Sequence, residues 1–87
     1  MSKAQIISCQ ISFYPLYTEK VNDAVKEVIK LIEDSELQSE SNSLSTNIFG
    51  ESKQVYDLLA KITDFMADKE IKFAMNCNIS NSCGCEI

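Results

Sequence analysis

Residues 5–14 alternate in character. Ile7, Cys9, Ile11 and Phe13 share one parity, while Ser8, Gln10, Ser12 and Tyr14 share the other. A period of two is the mark of a strand with one buried face. Pro15, which cannot donate to a ladder, is expected to end it. The period then changes. Val21, Ala24, Val25, Val28, Ile29 and Ile32 recur at spacings of three and one, the apolar stripe of a helix. Thr18 is placed to cap that helix, and Glu19 and Asp23 lie near its positive end.

From Leu37 to Gly50 the chain reads as a hairpin. A polar arm, Leu37-Gln38-Ser39-Glu40, meets a turn at Ser41-Asn42-Ser43 and returns through Leu44 to Phe49. The first arm has too little apolar character for anything but an edge strand. Ser52 can cap a second helix, whose stripe is Val55, Leu58, Leu59, Ile62, Phe65 and Met66. A last strand spans Ile71 to Ser80. Ile71, Phe73, Met75, Cys77 and Ile79 point one way, and Lys72, Ala74, Asn76, Asn78 and Ser80 the other. The order β-α-β-β-α-β, with right-handed crossovers, places both helices on one face of a four-stranded antiparallel sheet. This is an α+β, ferredoxin-like fold with spatial strand order 4-1-3-2. Residues 1–80 are expected to form one such domain, and residues 81–87 a tail without periodicity.

Composition narrows the chemistry. The chain has 87 residues with 13 Asp+Glu against 8 Lys, a net charge of −5, and it contains no Arg, His or Trp. An acidic chain without Arg is badly suited to nucleic acid. Without His there is no Ser-His or Cys-His catalytic pair and no imidazole metal site. The classes left are a binding module or an interaction protein, not an enzyme, and no cofactor is implied. No apolar run approaches the ~20 residues that span a bilayer, and the N-terminal stretch has no signal-peptide pattern. The expected location is therefore the cytoplasm, with the four Cys as reduced thiols.

One sheet face covers the helices, so the other must meet solvent, a ligand or another chain. On neighbouring strands that face carries Ser8, Gln10, Ser12, Tyr14, Asn76, Asn78 and Ser80. All but Tyr14 are small, uncharged groups that both donate and accept hydrogen bonds. Such residues are poor strand formers, so propensity does not explain them. Cross-strand bonding would account for some of them, and stacking on a second copy for others.

Two segments are similar to a known family. Gln10-Ile11-Ser12-Phe13-Tyr14-Pro15 resembles the Gln-x-Ser-x-Tyr-Pro first strand of the thiamine/hydroxymethylpyrimidine-binding family of YkoF type. Ser45-Thr46-Asn47-Ile48-Phe49-Gly50-Glu51 resembles that family's Ser-Thr-x-aliphatic-x-Gly-acid segment. The resemblance runs from the first strand to the last and implies a non-catalytic binder of thiamine or its pyrimidine moiety. The family's longer members carry two such domains, so a homodimer, or a dimer of dimers, through sheet packing is the implied counterpart here.

An aminopyrimidine both accepts and donates hydrogen bonds, and Gln10, Asn76 and Asn78 can answer both. Ser12 or Thr46 can serve the hydroxymethyl group, and Tyr14 or Phe49 can stack on the ring. A cationic thiazolium suits a chain of charge −5, whereas the lack of Arg disfavours the diphosphate. Two rival readings remain. One is a structural or regulatory module whose open face serves oligomerisation. The other is a thiol metal protein built on Cys83-Gly84-Cys85, although two ligands fall short of the usual four. Cys9 and Cys77, on the apolar parity, read as small buried hydrophobes.

Overall fold

The computed structural model describes residues 5–17, 19–41 and 45–81. The elements are β1 (Ile6–Leu16), α1 (Val21–Asp34), β2 (Gln38–Ser41), β3 (Thr46–Glu51), α2 (Ser52–Asp68) and β4 (Lys72–Ser80). The strands form one antiparallel sheet in the order β2-β3-β1-β4. This is the ferredoxin-like arrangement that the alternating periods imply.

The core lies between the sheet and the helices. Ile7, Cys9 and Ile11 of β1 and Ile48 of β3 pack against Val28 and Ile32 of α1 and Val55, Leu58, Ile62 and Met66 of α2. Ala24 is buried as well, but Val21 and Ile29 at the margins of the α1 stripe are exposed. Leu31 packs in their place, so the buried arc of α1 is rotated slightly from the one its spacing suggests. On the same side Phe13 and Phe73 stack with ring centroids 5.3 Å apart.

Three local expectations change. β1 continues through Pro15 to Leu16, with Pro15 opposite Phe73 of β4. Among the described residues the pairing of β1 with β3 ends at Ile11↔Thr46, so among them Pro15 is paired on the β4 side only. A proline is tolerated on such a one-sided stretch. Ser52 is the first residue of α2, not its cap. The cap position is Glu51, which makes no side-chain capping bond, and the Ser52 N–H donates instead to the Gln5 carbonyl at 2.8 Å. For α1 the cap position is Lys20, while Thr18 lies outside the described residues. The turn residues Asn42 and Ser43 and the Cys83-Gly84-Cys85 motif also lie outside them.

Both helices end with a glutamate in the left-handed region, Glu36 (φ 64°) and Glu70 (φ 58°). After α2 the Ile71 N–H donates to the Met66 carbonyl at 2.9 Å and the Glu70 N–H to Ala67 at 3.0 Å, the paired bonds of a Schellman cap. After α1 the Ser35 hydroxyl replaces one of these bonds. It donates to the Ile32 carbonyl and accepts from the Leu37 N–H at 3.2 Å.

Candidate functional site

The pairing of β1 with β4 fixes the open face. Ser8 stands opposite Ser80, Gln10 opposite Asn78, Ser12 opposite Asn76 and Tyr14 opposite Ala74. Residues directly opposite in an antiparallel pair share a face. Their in-between neighbours Cys9 and Ile11 are buried in the core, so these side chains all project away from the helices. Gln10, Asn76 and Asn78 are exposed, Ser12 is half-buried, and Tyr14 is 49 % exposed.

β3 adds a third column. Ser8 faces Phe49 and Gln10 faces Asn47, which puts Asn47 and a half-buried Phe49 on the same surface. The Gln10 amide donates through Nε2 to the Ser45 hydroxyl at 3.0 Å, anchoring the middle of the patch. Gln38 and Glu40 of β2 extend it through Phe49 and Asn47. Its charged groups sit at the rim. Glu40 and Glu51 lie on the β2–β3 side, and Lys72 lies at the far corner opposite Leu16.

The structure thus gathers Gln10, Ser12, Tyr14, Phe49, Asn76 and Asn78 on one face. Thr46 is not among them. It stands opposite Ile11, which is 3 % exposed on the helix side. There its hydroxyl is 3.1 Å from that of Ser41. Asn47 and Ser45 hold the outward positions assigned to Thr46. The signal for this was present, because apolar Ile48 marks the inward parity of the hairpin and Thr46 shares it.

Two clefts lie at the corners of the sheet: one of about 510 Å³ beside Leu16, Lys20, Phe65 and Lys69, and one of about 480 Å³ beside Gln5, Ser52, Tyr56 and Ile79. Neither includes Gln10, Asn76 or Asn78.

Behind the patch, burial and the neighbouring Cys77 push the Cys9 thiol up to about 12. Cys9 is therefore a neutral thiol at ordinary pH, and a poor nucleophile or metal ligand. Both Cys9 and Cys77 are free. No group of three or more metal-ligating side chains occurs among the described residues. Nor is any of their helices long and apolar enough to cross a membrane.

The model of the YKOF-related family matches residues 6–86. The chain belongs to that family. Solved structures share its fold at low identity. A protein from Streptococcus pneumoniae superposes with a TM-score of 0.81 at 15 % identity, over 94 % of this chain and 92 % of that one. A domain of unknown function from Bacillus cereus gives 0.78 at 19 %, over 88 % and 76 %. A candidate thiamine biosynthesis/salvage protein from Thermotoga maritima gives 0.76 at 15 %, over 86 % and 82 %. No curated protein matches the chain in sequence.

Proposed function

We propose that this YKOF-related protein is a non-catalytic, cytoplasmic binder of thiamine or its hydroxymethylpyrimidine moiety. Residues 1–80 would act as one binding unit, with the ligand on the open sheet face. The observation that carries this reading is the neutral polar patch at its centre, with Gln10 paired to Asn78 and Ser12 to Asn76. Carboxamides and hydroxyls in adjacent columns offer the alternating donors and acceptors that an aminopyrimidine edge requires. Tyr14 and Phe49 flank them with aromatic surface. Membership of the family supports the reading, as does the thiamine-related description of the Thermotoga relative.

One face of a single sheet does not by itself bury the 70–90 % of a small ligand's surface that is usual for a binding site. The proposal therefore includes a second copy stacked by sheet packing, which supplies the other wall. Ile6 (61 % exposed), Tyr14 and Leu16 are apolar points toward the two ends of β1 on this face, placed to seal the contact around the ligand. With Glu40 and Glu51 on the rim and no Arg in the chain, a cationic thiazolium is favoured over a diphosphate.

A thermal-shift titration with thiamine, hydroxymethylpyrimidine and thiamine diphosphate tests this. Ligand at 100 times its Kd adds about 2.7 kcal/mol, or on the order of 10 °C for a chain of this size. The first two compounds are expected to give a saturable rise. Gln10→Ala and Asn78→Ala should each weaken binding by roughly tenfold, the effect of losing one hydrogen bond at a desolvated site. No shift at millimolar ligand rejects the reading. Equal or tighter binding of the diphosphate rejects the preference for the uncharged tail.

A further inference from the structure

Among the described residues, two rows of side chains cross all four strands on the open face. One runs Gln38-Phe49-Ser8-Ser80 and the other Glu40-Asn47-Gln10-Asn78. Glu40 is the one charged residue in either row. It is exposed at the β2 end, opposite a half-buried Asn47. The half-buried Phe49 is its diagonal neighbour on β3, within reach of a long side chain. Neighbouring strands are about 4.8 Å apart, so Glu40 stands one spacing from Asn47, two from Gln10 and three from Asn78. The row is therefore graded in chemistry. Its β1–β4 half carries carboxamides alone, and its β2–β3 half sets a carboxylate against a carboxamide, with an aromatic ring alongside.

From this gradation we propose that Glu40 is the residue that distinguishes thiamine from free hydroxymethylpyrimidine. The ligand lies across the strands, its neutral pyrimidine over Gln10 and Asn78 and its cationic ring over Asn47. This orientation rests on the binding reading and adds a direction and a discriminating residue to it. Two rings joined by one methylene have centres about one strand spacing apart, so a pyrimidine over β1 carries the thiazolium over β3. There the positive ring has Phe49 beside it and the Glu40 carboxylate across the next strand gap, and a cation gains from both. The reverse orientation would place the thiazolium over β4, whose one charged residue is Lys72 at its start. Glu51, the other carboxylate on the rim, is four residues from Asn47 along β3, on the order of 13 Å away. Glu40 is thus the acid within contact range of the cation.

Calorimetric titration of thiamine and of hydroxymethylpyrimidine tests this on the unaltered protein and two variants. The unaltered protein is expected to bind thiamine roughly fivefold more tightly than the pyrimidine, the effect of one partly exposed ion pair. Glu40→Gln should remove most of that preference and leave pyrimidine affinity unchanged, which also reports that the variant is folded. Asp64→Asn takes the same charge from an exposed position on α2, on the far side of the sheet. It should alter the preference by less than about twofold, because a distant exposed charge is screened. Added salt should weaken thiamine more than the pyrimidine in the unaltered protein, and both alike in Glu40→Gln. Equal affinity for the two compounds, or a preference that survives Glu40→Gln, overturns the orientation while the binding reading stands. So does an equal loss in Asp64→Asn, which would trace the preference to net charge, or a fall in pyrimidine affinity in Glu40→Gln, which would put Glu40 against the wrong ring. If neither compound binds the unaltered protein, the binding reading fails and the orientation with it.

Discussion

At the scale of single residues, Gln10 is the hinge of the binding reading. It sits on the central strand, faces Asn78 on one side and Asn47 on the other, and donates to Ser45. Its carboxamide oxygen is the half of the group that this bond leaves to other partners. Two other residues carry a cost unrelated to the site. Glu36 and Glu70 hold left-handed backbone at the helix ends, a position where glycine is free of the Cβ penalty. Glu36→Gly and Glu70→Gly should each stabilise the fold by about 0.5–1 kcal/mol, part of the gain being offset by the freer unfolded chain. A rise in Tm of a few degrees by calorimetry is the expected result. A fall at either position would mean that the glutamate makes a favourable contact that outweighs its backbone strain.

At the scale of elements, the strands divide the work by position. β1 is central and supplies both core and open face, whereas β2 is a polar edge whose four residues are all exposed. What ties β2 to the core is the residue before it. Leu37 packs into the space left by Gly50 on the helix side of β3, where a Cβ on Gly50 would stand 2.5 Å from Leu37 Cδ2. Gly50→Val should cost about 1–3 kcal/mol through displacement of Leu37. Gly50→Ala should cost less, because the end of the leucine can move. Chemical denaturation of the two variants checks the order. If valine proved no worse than alanine, the close approach of Leu37 would not be what holds the β2–β3 corner.

At the scale of the whole molecule, the two faces of one sheet have opposite chemistry. The inner face is closed by helices, and no polar or charged residue is buried among the described residues. The outer face is neutral and polar at its centre, with its charges at the rim. If a second copy supplies the other wall of the site, ligand and assembly are linked, and each must strengthen the other. The Tm gained from thiamine should then grow with protein concentration. An increment that is constant over a hundredfold dilution would place the ligand within a single protomer.

The elements and their order were legible in the chain because each has one dominant period. Ile7, Cys9, Ile11 and Phe13 can be sorted only by a strand, and Val55, Leu58, Ile62 and Met66 only by a helix. Membership of one face was legible too wherever apolar residues mark the opposite parity, as they do on β1 and β4. The errors came where local signals compete with long-range ones. Pro15 would end a strand paired on both sides, but among the described residues its only strand partner is Phe73 of β4. Ser52 would cap an isolated helix, but β3 runs through Glu51, which takes the cap position and makes Ser52 the first helical residue. Thr46 was separated from the patch by a one-residue shift of parity that Ile48 alone records.

What the sequence by itself determined is therefore the set of amphipathic elements, since periodicity is a property of local geometry. The tertiary structure decided which polar side chains stand side by side, that Thr46 turns to the helix side instead of joining them, and that β4 lies beside β1. Those facts depend on register and strand order, which are set by contacts between residues tens of positions apart and leave no periodic trace in the chain.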